Sequence, residues 1–183
     1  HLLGGGRITS LIERLSTLPT LKEFLKEKER KEGWCVGIGY IIGNKSNKAD
    51  FITGKETIPV EALTENGIDE KQIHECLIQR FERPRKTKKK IYEGPHILIR
   101  VITGNQGIPI AYSEKYLTFP FGIIGIHAPQ DDKSELSALY DYLRENNSLL
   151  RSYILATSGR AMIGKATSIN KDDICLLYTS DAA

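Results

Sequence analysis

Residues 97–102 read ILIRVI and residues 108–112 read IPIAY. Both segments are rich in β-branched residues, and the five residues between them include two glycines and an asparagine. A short connection of this composition between two apolar runs predicts a β-hairpin. Arg100 interrupts the first strand. Pro109 has no N–H to donate, so it places the second strand at a sheet edge or marks a strand start.

A third strand and a pair of helices are expected after the hairpin. Residues 121–128 form another apolar run, and leucines and a tyrosine in 136–143 recur at the period of an amphipathic helix. Asp132 and Glu135 have the spacing of a capping box at the start of that helix. A further helical stretch is predicted at 149–155.

The first fifty residues predict two helices and a strand. Ser10 with Glu13 and Thr20 with Glu23 have capping-box spacing, which indicates helices at about 10–17 and 20–31. Residues 34–42 then read as a strand. The glycines of that strand are spaced loosely like a phosphate-binding loop, but such a loop needs a strand before the glycines and a helix after them. A strand position is therefore favoured over a cofactor site.

The middle of the chain predicts a short extended piece at 50–60 and a helix at 69–79, in which His74 is interpreted as an ordinary half-exposed residue rather than a metal ligand. With the hairpin, these elements predict an α+β fold with a small mixed or antiparallel sheet packed by several helices.

Composition limits the function classes. The chain has 183 residues, 40% of them hydrophobic and 27% charged, and a net charge of +3. No apolar run approaches the roughly 20 residues of a membrane helix, and no secretory signal pattern is visible. Three widely spaced cysteines, Cys35, Cys76 and Cys175, favour neither a disulfide framework nor a zinc site. We therefore expect a cytoplasmic protein with no membrane partner.

The strongest functional signal is the basic run, residues 80–90 (RFERPRKTKKK), which holds seven cations and one carboxylate. Charges packed this densely repel one another unless a polyanion neutralises them. Two interpretations follow: a solvated, mobile loop, or a nucleic-acid contact.

Six segments resemble a known family: residues 95–100 (PHILIR), 111–113 (AYS), 122–126 (GIIGI), 136–143 (LSALYDYL), 147–153 (NSLLRSY) and 169–174 (INKDDI). Together they are similar to the C-terminal specificity region of N-6 adenine DNA methyltransferases, including fused restriction–modification enzymes. The resemblance covers residues 50–174, which would form a DNA target-recognition domain.

The resemblance implies a division of labour. An upstream methylase domain of the same chain would bind S-adenosylmethionine and flip the target adenine into a pocket built around Asn-Pro-Pro-Tyr. Neither that element nor a suitable glycine-rich cofactor loop occurs in this sequence. We therefore expect no cofactor and no catalytic residue in this chain, and S-adenosylmethionine only in the parent enzyme, with residues 1–49 as the end of its methylase side or a connector.

Double-stranded DNA is the expected partner. Basic side chains would follow the phosphates, which supplies affinity without sequence information. Base reading needs forked or bidentate groups, which makes Arg100, Asn105 and Gln106 of the hairpin candidate readers, although Asn and Gln in a turn also serve backbone geometry. The candidate phosphate contacts are Arg80, Arg83, Arg85, Lys86, Lys88, Lys89 and Lys90.

Two other classes stay open. A non-enzymatic specificity subunit of a restriction–modification complex would carry a duplicated recognition region, and no internal repeat is visible. An unrelated nucleic-acid-binding module would carry surface aromatics beside the basic residues, and Tyr92 is the only aromatic directly after the run. Finally, residues 175–183 resemble the in-frame translation of a sequencing adapter and are excluded from these arguments.

Overall fold

The structure, a computed structural model, describes residues 21–43, 46–101, 107–148, 150 and 151. Its helices are α1 (Leu21–Lys31) and α2 (Lys133–Glu145). Its strands are β1 (Cys35–Ile38), β2 (Glu56–Thr57), β3 (Leu63–Thr64), β4 (Gly67–Ile68), β5 (His74–Glu75), β6 (His96–Arg100), β7 (Ile110–Ser113) and β8 (Ile123–His127). Short 3-10 helices cover Val60–Ala62, Glu70–Gln72, Lys86–Tyr92 and Gln130–Asp132.

A four-stranded antiparallel sheet in the order β1-β8-β6-β7 forms the centre of the described chain. With the two helices and two small two-stranded sheets it confirms the predicted α+β class. The predicted hairpin is also confirmed, because β6 and β7 pair antiparallel with Leu98 opposite Ala111. β7 is an edge strand and begins directly after Pro109, as the missing proline N–H requires.

Both faces of the sheet are buried, which explains why its strands read as continuous apolar runs. Alternate side chains point to opposite faces. On one face Ile97 and Ile99 pack with apolar residues of α1 and α2. On the other face Leu98 packs with a layer of loops and short elements from residues 40–92 and 117–119. The sheet therefore separates a helical layer from an irregular layer.

The start of α2 is fastened differently from the predicted capping box. Asp132 occupies the position before the helix, but its side chain does not cap the backbone. Instead its Oδ2 accepts a hydrogen bond from Trp34 Nε1 at 2.8 Å, and Glu135 pairs with Lys28 Nζ at 2.6 Å. Asp132 and Glu135 thus join α2 to α1 and to Trp34, which follows α1. For Asp132, this tertiary contact takes the place of the local cap.

The helix predicted at 69–79 is wrong. Only Glu70–Gln72 forms a turn of 3-10 helix, after which the chain is extended. Cys76 N donates to Lys55 O, and Gly54 N donates to Cys76 O, so the segment pairs with a neighbouring strand. The extended backbone leaves Leu77 exposed, whereas a helix would have placed it on the apolar face. His74 is an exposed strand residue.

Other predicted boundaries are only partly met. The strands at 34–42 and 121–128 are present as the shorter β1 and β8, and the extended piece at 50–60 is a turn followed by β2. β1 pairs with β8, so residues 35–38 are part of the central sheet. The helix predicted at 10–17 lies outside the described residues, and of 149–155 only residues 150 and 151 are described, both helical.

Two glycines face each other across β1 and β8 and let the segment that contains Ile91 pack close against the sheet. Gly37 is the register partner of Gly125. A Cβ built on Gly125 would lie 2.6 Å from Phe119 Cζ and 3.1 Å from the Ile91 carbonyl oxygen. A glycine inside a strand often marks such a close approach. These glycines therefore make room for the irregular layer.

We expect Gly125→Ala to lower the free energy of unfolding by about 1 to 3 kcal/mol, because the added methyl overpacks a fixed ring and a backbone oxygen. Gly37→Ala is the matched control. Its Cβ would meet side-chain atoms of Ile91 and Lys88 at 3.3 Å, so its cost should be much smaller. Urea unfolding of both variants checks this, and equal losses would contradict the packing argument.

Candidate nucleic-acid interface

The first half of the basic run is paired to an earlier loop. Phe81 N donates to Asn47 O at 2.8 Å and Asn47 N donates to Phe81 O at 3.0 Å, while the Phe81 ring is fully buried. Arg83 exchanges similar backbone hydrogen bonds with Ile41. The side chains of Arg80 and Arg83 stay exposed, and Arg83 Nε lies 3.8 Å from a carboxylate oxygen of Glu82.

The second half of the run is folded, which argues against the interpretation of an open solvated loop. Lys86–Tyr92, called here the lysine segment, forms two merged 3-10 turns that meet at a kink at Lys88. Ile91 and Tyr92, at the C-terminal end of the segment, are fully buried. Lys86, Lys89 and Lys90 point outward and are exposed. The buried end therefore fixes the backbone from which these three lysines project.

Two histidines hold the end of the lysine segment on the sheet. His96 Nδ1 donates to the Ile91 carbonyl at 2.8 Å, and His127 Nδ1 donates to the Glu93 carbonyl at 2.8 Å. The two histidines are register partners on β6 and β8. Burial is the main cause that lowers the pKa of His96 to about 4; the bond to the Ile91 carbonyl opposes this shift, and the neighbouring His127 adds to it. A neutral His96 is thus part of the anchor.

Lys88 is the member of the segment that the fold itself uses. Its Nζ lies 2.6 Å from Glu29 Oε1 of α1, and the same carboxylate oxygen accepts a hydrogen bond from Val36 N of β1 at 2.8 Å. Glu29 thereby joins helix, edge strand and lysine segment. Lys88, a candidate phosphate contact from the sequence, thus has a structural partner in Glu29.

Arg85 also differs from a simple surface cation. Its backbone is left-handed, with φ 63° and ψ 43°, which is costly for a residue other than glycine. The residue is half-buried, and its Nε is buried without a hydrogen-bond partner among the described residues. Its charge lies close enough to Tyr92 to oppose the upward pKa shift that burial imposes on that hydroxyl.

The candidate base readers lie away from the lysine segment. Arg100 ends β6, is half-buried, and directs Nη1 toward the Leu63 carbonyl at 3.5 Å. Lys88 packs over Gly37 on β1, two strands away from β6, which is roughly 10 Å at the usual strand spacing. Asn105 and Gln106 lie outside the described residues. The structure thus does not bring Arg100 into the basic cluster.

The return end of the hairpin connection is firmly held. Asn147 Oδ1 accepts from Ile108 N at 2.9 Å, and Asn147 Nδ2 donates to Ile108 O at 2.8 Å. Gly107 N donates to Glu65 Oε1 at 3.0 Å. The Asn147 side chain thus takes the place of a strand partner at this edge. These bonds fix the backbone just before β7.

Sequence reasoning missed the contribution of α1. Lys26 and Arg30 lie four residues apart and line a groove of about 580 Å³ together with the lysine segment. Residues four apart share a helix face, so their pairing was readable from the sequence. Their position beside residues 86–90 was not, because it depends on how α1 packs against β1.

An acidic cluster on the far side of α1 has its own cation. Carboxylate oxygens of Glu32, Asp132 and Glu135 lie within 4.8 Å of one another. Lys28 forms ion pairs with both Glu32 and Glu135, and Trp34 donates to Asp132. The cluster is therefore explained by the contact between α1 and α2.

The described fold and site define an α+β protein with an anchored basic surface. Neither helix in the described part of the chain has the length and apolar character that crossing a membrane requires. The sequence matches no protein-family model and no curated protein. The geometry of the basic surface and the sequence resemblance are therefore what indicate a function.

A double-mutant cycle between Glu29→Gln and Lys88→Met should give a coupling of about 0.5 to 1 kcal/mol in the free energy of unfolding, because the pair is partly exposed. Lys89→Met, one residue from Lys88 and exposed, is the control and should stay within about 0.5 kcal/mol of wild type. Chemical denaturation measures all four variants. No coupling, or an equal cost at Lys89, would contradict the structural role of Lys88.

Burial of neutral His96 predicts acid sensitivity. Its pKa is 6.5 in the unfolded chain and about 4 in the fold, so the unfolded state binds the proton first as the pH falls. Stability should therefore decrease from pH 6.5 to pH 4, by up to about 3 kcal/mol from this group. His96→Gln should flatten that decrease, whereas His74→Gln, at an exposed position, should leave it unchanged in urea titrations at each pH. Equal slopes for the two variants would refute the assignment.

Proposed function

We propose that this chain is the sequence-specific DNA recognition part of an N-6 adenine DNA methyltransferase of a restriction–modification system. The observation that carries the proposal is the exposure of Lys86, Lys89 and Lys90 side by side on a segment whose other side is buried. Fixed cations of this kind neutralise phosphates without first having to be ordered, so they supply affinity and orientation on the duplex. The methyltransferase context comes from the resemblance of residues 50–174.

The division of labour follows from the same resemblance. Methyl transfer and S-adenosylmethionine binding would belong to the upstream methylase domain of the parent enzyme, and this part would position the duplex so that the target adenine reaches the catalytic pocket. The requirement is mechanical: a flipped base stays in register only if the flanking duplex is held. Anchored lysines fit that task.

The aromatic side chains next to the lysine segment are buried, whereas Phe121, outside that segment, is 54% exposed. Proteins that bind single strands stack bases on exposed aromatic rings beside basic residues. Here Tyr92 is fully buried and Trp34 is 3% exposed. The feature expected of an unrelated single-strand-binding module is therefore lacking next to the lysine segment, within the residues that the structure describes.

The 183-residue chain should bind duplex DNA with a log–log salt slope of about −3 to −4.5, which corresponds to about three to five phosphate contacts. Replacing Lys86, Lys89 and Lys90 by Gln should reduce the magnitude of that slope by about 3. Fluorescence anisotropy with a labelled duplex across a salt series measures both.

The matched control replaces Lys55, Lys71 and Lys115 by Gln, because these three lysines are also exposed but lie outside both the basic run and the loop that pairs with it. It removes the same charge and should change the slope far less. Absence of duplex binding at low salt, or equal slopes for the two triple variants, would refute the proposed phosphate contacts.

A further inference from the structure

The groove beside the lysine segment has two basic walls. One wall is the lysine segment, and the other is α1, which contributes Lys26 and Arg30; residues 33–35 lie between them. The groove is lined by six cations, Lys26, Arg30, Lys86, Lys88, Lys89 and Lys90, and by one carboxylate, Glu29. Glu29 is already paired with Lys88. The remaining five cations face a space of about 580 Å³.

The walls are held at a fixed separation. α1 buries Leu21 and Leu25 against the sheet, so the opposite face of the helix, with Lys26 and Arg30, is exposed. The bond between Glu29 Oε1 and Lys88 Nζ ties the two walls together at 2.6 Å. Like charges on both sides would otherwise push the walls apart. The Glu29–Lys88 ion pair therefore holds together two walls whose positive charges repel each other.

We propose that Lys26 and Arg30 form the second wall of a phosphate clamp, and that the groove takes the phosphodiester backbone of one strand of duplex DNA. This inference rests on the proposed function and adds to it a contact surface outside the basic run. A strand lying between the walls would be neutralised from both sides, whereas the run of residues 80–90 reaches it from one side only.

The chemistry of the groove fits backbone rather than bases. Four of the five outward cations are lysines, which act as point charges toward phosphate, and Arg30 alone offers a forked donor set. Trp34, in the floor, is 3% exposed and its Nε1 is bonded to Asp132. The floor therefore offers no ring on which a base could stack, and the clamp should bind duplexes of different sequence alike.

The test compares the 183-residue chain with two double variants in the same salt series. Lys26→Gln with Arg30→Gln removes the α1 wall. Lys55→Gln with Lys71→Gln is the control, since both lysines are exposed and belong to the irregular layer away from the groove. All four positions are exposed, so folding should be retained, and circular dichroism verifies it. Charge reversal at Lys26 and Arg30 provides a second, larger perturbation.

The α1 variant should lose about 2 from the magnitude of the salt slope and bind several-fold more weakly on duplexes of unrelated sequence, and the reversed variant should bind more weakly still. If the α1 variants behave like the control while the lysine-segment triple variant still loses its slope, the second wall is refuted and the proposed function survives. If wild type binds no duplex at low salt, both are refuted.

Two further probes identify the ligand. A single strand of the same sequence and vesicles of phosphatidylserine and phosphatidylcholine in equal parts present phosphates in other settings. Duplex binding tighter than both supports the clamp as stated. Tighter binding to the single strand or to the vesicles overturns the assignment to duplex DNA.

Discussion

The lack of a side chain at Gly37 and Gly125 is the constraint on which the basic surface depends. These register partners leave a shallow depression across β1 and β8 into which Ile91 fits. With Ile91 buried there and Tyr92 buried beside it in the chain, the lysines that precede them have only the outer side of the segment available. The position of the exposed lysines thus follows from how the inner side of the lysine segment packs. A pair of glycines without chemistry of their own determines where the cations are displayed.

Glu29 neutralises part of the positive charge that the lysine segment concentrates at the surface. A carboxylate that accepts from Val36 N and pairs with Lys88 blocks an edge-strand N–H and offsets one charge of the lysine segment. Exposed edge N–H groups invite pairing with another chain, so covering one protects the sheet. The same contact keeps α1 beside the segment. One acidic side chain therefore serves sheet, helix and basic surface together.

Local patterns predicted the sheet and helices well, and failed where partners are distant in sequence. The hairpin of β6 and β7, strand β8 and helix α2 each carry their signal within a few residues. Ile73 and Leu77, four residues apart, predict a helix over residues 69–79, but the pairing of Cys76 with Lys55 overrides that pattern. Local patterns could not predict the groove either, because only the packing of α1 brings Lys26 and Lys89 together.

Under the proposed function, DNA affinity and sequence reading would belong to separate regions of the fold. The exposed lysines and α1 border the β1 edge of the sheet, whereas Arg100 lies two strands away, half-buried against the Leu63 carbonyl. Phosphate contacts carry no sequence information, so under the proposed function the cations at the β1 edge would hold any duplex equally. Base reading then requires groups that enter a groove of the DNA, and those groups need not touch the basic surface. Under the proposed function, the sheet between the two regions would fix their relative position, so that nonspecific contacts would orient the base reader without taking part in the reading.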